Sequence, residues 1–528
     1  MKSFEFIIRN ARVISGKGRR TRLVDIGVAD GKIGFVAKSN GNNKIRTSHA
    51  EIDLSGRIVF PGLIDSHIHL FAVAENASFV DLYGSRSVNE MLQRIREYIK
   101  IHEDLGEKEN RKSWVLGRGW EQDKLAERRF PTRFDLDKVV TSRPAMMVRV
   151  CGHVAVLNSV ALDLLLSRLD SKSLDKILIE EDKSGERTGI IRERALEEAW
   201  KLVPDPSISK LVDQFLYSQK LCLENGIVGV TCILSENWRR ELKAIRRVSE
   251  SGRLRIRVCL LLPISALEEV EGGILDSDEF AISENDGYAV HGFKLFADGS
   301  LGARTAALNE DYSDDPGNSG ILNYADSEII DYARRIKKLR RYILATHAIG
   351  DRALDQVLRC YAKAGVTKKD KFRIEHCSVL DHKSKSKLSL VVSSVQPGFE
   401  ISDYWIAERL GRARSKRAYP FRTIFENSTM ISGSDAPADS INPLRSFYAA
   451  THNKTRSQRL SLNEILRSYT ETPSKCCSLL RSVGSIARGK DCDIAVSNET
   501  HLPKIFKSNI FETFVRGIPT LAPLRDKR

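Results

Sequence analysis

The amino-acid sequence predicts an α/β protein built around a (β/α)₈ barrel of the TIM type. Buried strand-like runs alternate with amphipathic, charge-rich stretches through the middle of the chain. Both ends of the chain are instead rich in short β-prone runs separated by turn residues. Histidine, lysine and aspartate residues recur where the predicted strands end. Alternating strands and crossover helices are typical of a closed parallel sheet, whose functional groups lie at the carboxyl ends of the strands.

Eight barrel strands are predicted from apolar runs. They are Val59 to His69, Gly226 to Leu234, Leu254 to Leu262, Ala289 to Ala297, Tyr342 to His347, Phe372 to Cys377, Leu390 to Gln396 and Thr429 to Asp435. Amphipathic stretches such as Glu328 to Arg341 and Arg352 to Ala364 are the predicted crossover helices between them.

The rest of the chain divides around this barrel, which we place at residues 59–483. The stretch between the first two strands is far longer than an ordinary loop, so we predict an inserted subdomain at about residues 75–215. Residues 1–58 and 484–528 alternate β-prone runs with turns. We therefore predict that the two chain ends together form one small β-sandwich domain.

The composition is that of an ordinary soluble globular protein, with 41% hydrophobic and 29% charged residues among 528. No apolar run approaches the roughly 18 residues that a membrane span needs. The N-terminus carries Glu5 and lacks a long apolar region, so we expect no secretory signal. Nine cysteines without a repeated spacing favour free thiols in a reducing, cytoplasmic setting.

The formal net charge of +15 raises the question of an anionic partner. The basic clusters at residues 17–22 and 412–417 lack the aromatic interleaving of a nucleic-acid platform. We therefore predict a solvated basic surface, with steering of an anionic substrate as the alternative. These sequence patterns are also compatible with a homo-oligomer of this chain.

His67 and His69 end the first predicted strand. Strand side chains alternate faces, so residues two apart point the same way, and two imidazoles at a strand end can share one metal ion. Taken alone, the pair also fits two hydrogen-bonded core histidines or a surface strand.

The same kind of residue recurs along the barrel. Lys294 lies at the end of the fourth strand, His347 of the fifth, His376 of the sixth and Asp435 of the eighth. Each has a simpler alternative: His347 could cap the next helix, His376 could be a core histidine, and Asp435 could be a turn residue. Their recurrence at one end of the barrel nevertheless predicts a metal centre.

Eight stretches of the sequence match the motifs of a known family in order. They are PGLIDSHIHL (61–70), GRGWEQDKLAERRFPTRFDLD (117–137), GFKLFADGSLGARTAAL (292–308), THAIGDRAL (346–354), FRIEHC (372–377), QPGF (396–399), GSDAP (433–437) and GSIARGKDCD (484–493). The sequence thereby resembles the amidohydrolase superfamily of metal-dependent hydrolases. Within it, the sequence is similar to amidohydrolase family 3, the YtcJ-like proteins that include N-substituted formamide deformylase.

The resemblance implies a role for each barrel-end residue. His67 and His69 match the pair that binds the more buried metal, and His347 and His376 match the ligands of a second metal. Asp435 matches a metal ligand that also takes the proton of the nucleophilic water. We therefore expect one or two divalent metal ions, with Zn²⁺ favoured by imidazole and carboxylate ligands.

Lys294 has two interpretations. In relatives with two metals, a carboxylated lysine often bridges them at this position. A bare ammonium beside a dication is electrostatically unfavourable, and carboxylation would turn Lys294 into an anionic oxygen donor. Alternatively, Lys294 is uncarboxylated and supports a single metal.

Further residues are candidates for substrate binding. His153 and Trp120 lie in the predicted insertion, although Trp120 also fits an aromatic packing role. Asp298 and Arg304 follow Lys294 in a glycine-rich loop that could shape the pocket mouth, and Gln396 ends the seventh strand.

The sequence thus predicts a hydrolase that cleaves a carbon–nitrogen bond other than a peptide bond, such as an N-acyl or N-formyl amide of a small molecule. Deamination and the hydrolysis of a cyclic amide, carbamate or ester are alternatives for the same site. An alternative of another class is a catalytically silent basic protein that binds nucleic acid.

Overall fold

The computed structural model describes residues 4–15, 20–39, 50–104, 114–149, 154–169, 179–192, 194–277, 280 and 286–521. The chain divides into two compact units, Met1–Val73 with Ile208–Arg528, and Ala74–Ser207. The first unit holds the barrel and a sheet formed by both chain ends. Among the described residues, no helix has both the length and the apolarity that crossing a bilayer demands.

The predicted barrel is confirmed. Eight parallel strands follow one another around it in sequence order. They are Leu63–Ile68, Ile227–Ile233, Arg257–Pro263, Tyr288–Phe296, Ile343–Ala348, Arg373–His376, Val392–Val395 and Thr429–Ser432. The first and eighth strands meet at their carboxyl ends, where Asp435 N–H donates to His67 O (2.7 Å) and His69 N–H donates to Ala436 O (3.0 Å).

Helices pack around the barrel strands. The helix Leu70–Ala77 begins in this unit and ends in the other. The helices that lie wholly in this unit are Ile208–Glu224, Trp238–Glu250, Leu267–Glu271, Asp326–Leu339, Asp351–Lys363, Phe399–Ser402, Ile406–Arg414, Phe421–Asn427, Pro443–His452, Leu462–Ser468 and Glu471–Cys476. In Asp351–Lys363, residues Leu354, Val357, Leu358 and Tyr361 are buried. Their three- and four-residue spacing forms the apolar stripe expected of a helix that covers a sheet.

Strands from both chain ends pair in one mixed sheet of eight strands. In order across the sheet they are Ile518–Pro519, Ile510–Val515, Ile494–Ser497, Ile58–Pro61, Phe6–Ser15, Arg20–Ala29 and Lys32–Lys38, with Ala50–Asp53 also paired to Phe6–Ser15. The strand Ile58–Pro61 therefore belongs to this sheet, although the sequence pattern placed its last residues in the first barrel strand.

A buried ion cluster joins this sheet to the barrel. Arg257 begins the third barrel strand, and its guanidinium contacts the carboxylates of both Asp491 and Asp493. The Arg257 side chain is only 4% exposed and that of Asp493 is fully buried. Removing one member of a buried ion pair leaves the partner charge without compensation, and this loss is strongly destabilising.

We predict that Arg257→Met lowers the free energy of unfolding by about 3–5 kcal/mol, because two carboxylates would then share a buried site without a cation. Urea denaturation followed by far-UV circular dichroism measures the change. Arg253→Met, which removes an exposed arginine four positions earlier, is the matched control. Equal midpoints for the two variants would contradict the proposed role of the cluster.

The second unit is a six-stranded sheet with helices. In order its strands are Ile179–Glu181, Arg187–Arg192, Val154–Leu157, Ala145–Arg149, Val115–Trp120 and Val80–Asp81. Its helices are Val88–Asp104, Arg133–Leu136, Ser159–Arg168 and Arg194–Trp200. Met147 and Val156 belong to one apolar cluster, and Met146 and Leu157 to another. Strand alternation explains this division, because neighbouring side chains lie on opposite faces.

One pair of cysteines differs from the expectation of free thiols. Cys259, in the third barrel strand, is joined to Cys477 by a disulfide bond. The expectation was wrong for this pair, which lies 218 positions apart in sequence. The other six cysteines in the described part of the chain are free.

Candidate active site

The first barrel strand carries two of the predicted metal ligands. The strand ends at Ile68, and His67 and His69 flank that end. His67 is 1% exposed, whereas His69 is 29% exposed and lies closer to solvent. Their ring centroids are 5.7 Å apart.

Three predicted ligands that are far apart in sequence converge. One ligand atom from each of His67, His376 and Asp435 lies within 4.8 Å of the other two. Asp435 Oδ1 is 3.2 Å from His67 Nε2 and also 3.2 Å from His69 Nε2. Four of the six predicted metal-site residues thus surround one point at the carboxyl end of the barrel.

Two of these residues have an unusual backbone conformation. His376 has φ of 72° and Asp435 has φ of 59°. Left-handed conformations are uncommon for residues other than glycine and cluster at functional sites. His376 is the last residue of the sixth barrel strand, and Asp435 lies three residues beyond the end of the eighth.

His347 lies beside this group. Its ring centroid is 4.3 Å from that of His376, and its Nε2 is 2.9 Å from the carbonyl oxygen of Gly299. The following helix starts at Asp351, with Gly350 as its N-terminal cap residue. The alternative that His347 caps this helix is therefore wrong.

Lys294 is buried in the fourth barrel strand. Its Nζ has no hydrogen-bond partner among the described residues and lies 4.8 Å from the centroid of the Phe296 ring. Burial lowers the pKa of Lys294 to about 8, even though Glu375 and Asp435 favour the charged form. The Lys294 amine therefore loses its proton more readily than an ordinary lysine does.

The charge states suit a cation. Burial alone would raise the pKa of Asp435, but the neighbouring imidazoles of His67 and His69 hold it well below its ordinary value. Burial lowers the pKa of His376 well below its ordinary value, and that of His347 to about 3. Burial and Lys294 lower the pKa of His67, but Asp435 and Glu375 outweigh them and raise it above its ordinary value. Ionised carboxylate and neutral imidazole are the forms that bind zinc, so His67 releases a proton when it binds the ion.

The donor set therefore fits a divalent metal ion. His67, His376 and Asp435 supply imidazole nitrogen and carboxylate oxygen, and His69 reaches the same carboxylate oxygen. Structural zinc sites are closed by four protein ligands, whereas catalytic sites keep a position open.

A buried pair beneath the site was missed by the sequence analysis. Glu375 Oε2 is 2.6 Å from His67 Nδ1, and Glu375 Oε1 is 2.8 Å from Arg373 Nε. Two opposite charges two positions apart, interleaved with the apolar residues Phe372, Ile374 and Cys377, are the signal that could have indicated them. Buried charges are rare unless they are paired.

Asp65 and Gly433 join the first strand to the segment that follows the eighth. Asp65 Oδ1 accepts hydrogen bonds from the N–H groups of His67 and Ser434, each at 3.0 Å. A Cβ atom on Gly433 would lie 2.4 Å from His67 N and 2.6 Å from Asp65 Oδ1. Only glycine allows the two segments to approach this closely.

Three predicted substrate-binding residues lie in the barrel unit. Asp298 is buried, and it accepts hydrogen bonds from the N–H groups of Ala307, Ile349 and Gly350. Arg304 pairs with Asp314 at 2.9 Å. The Gln396 side chain is buried, and its Oε1 has no hydrogen-bond partner in the described part of the chain. The loop after Lys294 is thus anchored internally by Asp298.

Of the two substrate-binding residues predicted in the insertion, the structure describes Trp120. Trp120 is fully buried, its indole N–H donates to Met147 O at 2.8 Å, and its ring packs edge-on against Phe130. These contacts favour the packing alternative over substrate contact, because neither the ring face nor the N–H is exposed. His153 lies outside the described residues.

The class of protein follows from comparison with known families. The profile of the amidohydrolase family matches residues 50–517. The chain therefore belongs to the amidohydrolase family and is a hydrolase acting on carbon–nitrogen bonds.

Individual relatives share most of the chain. It is 30% identical over 471 residues to YtcJ of Bacillus subtilis strain 168, a protein named as an amidohydrolase, covering 84% of this chain and 85% of YtcJ. It is 24% identical over 553 residues to N-substituted formamide deformylase of Arthrobacter pascens, covering 97% and 98% of the two chains.

A solved structure resembles the whole fold. It is the crystal structure of an uncharacterized metal-dependent hydrolase from Pyrococcus furiosus, with 30% sequence identity and a TM-score of 0.77. The match covers 93% of this chain and 98% of that chain. Membership of a hydrolase family favours an enzyme over the alternative of a catalytically silent nucleic-acid-binding protein.

We predict that Gly433→Ala destabilises the protein by about 1–3 kcal/mol, because the new methyl group would overlap the backbone of the first strand. The variant should also bind less metal, since the displaced segment carries Asp435. Thermal unfolding and metal content measure the two effects. Gly272→Ala is the control, because its Cβ would meet no atom closer than 3.4 Å; equal effects in both variants would refute the close-approach argument.

Proposed function

We propose that the protein is a metal-dependent hydrolase that cleaves an N-acyl or N-formyl amide of a small molecule. The observation that supports this most is the convergence of His67, His376 and Asp435 from the first, sixth and eighth barrel strands. His69 and His347 complete the proposed ligand set, and Zn²⁺ is the proposed metal.

Each residue has a proposed task at this site. A divalent ion, when bound, would lower the pKa of the attacking water and polarise the scissile carbonyl. Asp435 accepts the proton of the attacking water and returns it to the departing amine, because it is held as a carboxylate 3.2 Å from two imidazoles. The buried His67 and His376 keep this carboxylate in place and exclude water from its inner side.

The choice of an amide is supported by the relative N-substituted formamide deformylase, whose similarity extends over nearly the whole of this chain. The loop after Lys294, with Asp298 and Arg304, and the buried Gln396 are proposed to shape the pocket around the substrate. Deamination and hydrolysis of a cyclic amide, carbamate or ester use the same site chemistry and remain the alternative reactions.

We predict that Asp435→Asn lowers kcat for a hydrolysed amide by at least about 10²-fold, because an amide side chain cannot accept the proton. The variant should keep its fold and at least one metal ion, since the imidazole ligands remain. Turnover over a panel of formamides, N-acyl amino acids, hydantoins and carbamates, with metal content by mass spectrometry, measures both.

The matched control is Asp439→Asn, which changes a nearby buried aspartate bonded to Ser402 Oγ at 2.7 Å. This control should retain activity. Full activity of Asp435→Asn would refute its role in proton transfer. Loss of activity on chelation and recovery with Zn²⁺ would support the metal requirement, and activity unaffected by chelation would contradict it.

We further propose that Lys294 is carboxylated and bridges two ions. The neutral amine attacks CO₂ to form an N–C bond and releases a proton, and the product carries a negative charge. The lowered pKa of about 8 and the unpartnered Nζ support this reaction. The alternative is an uncarboxylated Lys294 beside a single metal.

Labelling tests this choice. We expect protein loaded with Zn²⁺ in ¹³C-bicarbonate to show a carbamate carbon signal and two metal ions per chain. Lys294→Ala should lose the signal and one ion, whereas Lys387→Ala, a partly exposed lysine paired with Asp355, should keep both. One ion per chain and no carbamate signal in the unsubstituted protein would support the single-metal alternative.

A further inference from the structure

We infer that Glu375, held by Arg373, is a positioning residue that fixes the tautomer and the orientation of the His67 imidazole. Glu375 Oε2 lies 2.6 Å from His67 Nδ1, on the side of the ring opposite the ligand cluster. His67 Nε2 on the other side is 3.2 Å from Asp435 Oδ1. The ring is thus held between two carboxylates, one beneath the site and one within it.

Arg373 holds Glu375 from below. Its Nε lies 2.8 Å from Glu375 Oε1, and its Nη2 donates to Ser66 O at 2.5 Å and to Ser394 Oγ at 3.2 Å. Arg373 is 2% exposed and Glu375 is fully buried. The guanidinium is therefore anchored to the first and seventh barrel strands, and Glu375 has little freedom to turn away from His67.

The chemistry of the carboxylate then dictates the state of the ring. A carboxylate paired with a guanidinium only accepts hydrogen bonds, so the group facing it must be the Nδ1–H of His67. In a neutral imidazole the lone pair is then on Nε2, which faces His376 and Asp435. Metal-binding histidines commonly have such a carboxylate on their other nitrogen, and losing it typically weakens metal binding by about 10–100-fold.

A purely structural role for Glu375 is the competing explanation, in which it only neutralises Arg373. Glu375→Gln separates the two explanations. Arg373 would attract the amide oxygen, so the amide NH₂ would face His67 Nδ1. The ring would then have to accept at Nδ1 and carry its proton on Nε2, where it blocks coordination. A neutralising role predicts a loss of stability without this change of tautomer.

The inference rests on the proposed metal centre, and its first test is metal affinity. We expect Glu375→Gln to bind Zn²⁺ about 10–100-fold more weakly than the unsubstituted protein in competition with a chromophoric chelator. Glu241→Gln is the control, because Glu241 is another buried glutamate and accepts hydrogen bonds from Ser235. Equal Zn²⁺ affinity in a folded Glu375→Gln variant would overturn the inference while leaving the proposed function intact.

The second test needs neither the Glu375→Gln variant nor a metal. In metal-free protein labelled with ¹⁵N-histidine, at a pH high enough for the ¹⁵N shifts to show a neutral His67 ring, we expect His67 to carry its proton on Nδ1. The signal is assigned by its loss in His67→Gln. A proton on Nε2 would overturn the inference. Failure of the unsubstituted protein to bind any metal would instead overturn the proposed function, and the tautomer would still be measured.

Discussion

The closing contact between the first and last barrel strands is the constraint on which the site depends. Asp65 accepts N–H groups from both segments, and Gly433 allows their backbones to touch. These contacts bring His67 and Asp435, which are far apart in sequence, within hydrogen-bond distance. Barrel closure and assembly of the proposed metal centre are therefore the same structural event.

The interior beneath this contact contains three charged side chains. Lys294, Arg373 and Glu375 are all buried, and only the last two are paired with each other. Buried ion pairs seldom stabilise a fold more than apolar residues of the same size would. The position of these three charged residues beneath His67 favours a role in catalysis over a role in stability.

The sequence predicted the barrel well because its signals are local. Each strand is a short buried run, and amphipathic helices lie between many of them, so periodicity alone indicates the alternating order. The strands near the chain ends were harder to assign to a sheet from the sequence. The strand Ile58–Pro61 continues almost directly into the first barrel strand, and only its pairing with Phe6–Ser15 and Ile494–Ser497 assigns it to the other sheet. Long-range pairing of this kind leaves no local pattern.

By itself, the sequence determined the fold class and the types of residue that end the strands, because spacing and side-chain chemistry are written in the chain. Only the tertiary structure decided which of them meet. It grouped His67, His376 and Asp435, turned His347 Nε2 toward Gly299, buried Trp120 in its own core and placed Glu375 behind His67. Distances between residues from different strands depend on how the barrel closes, and no single segment specifies that closure.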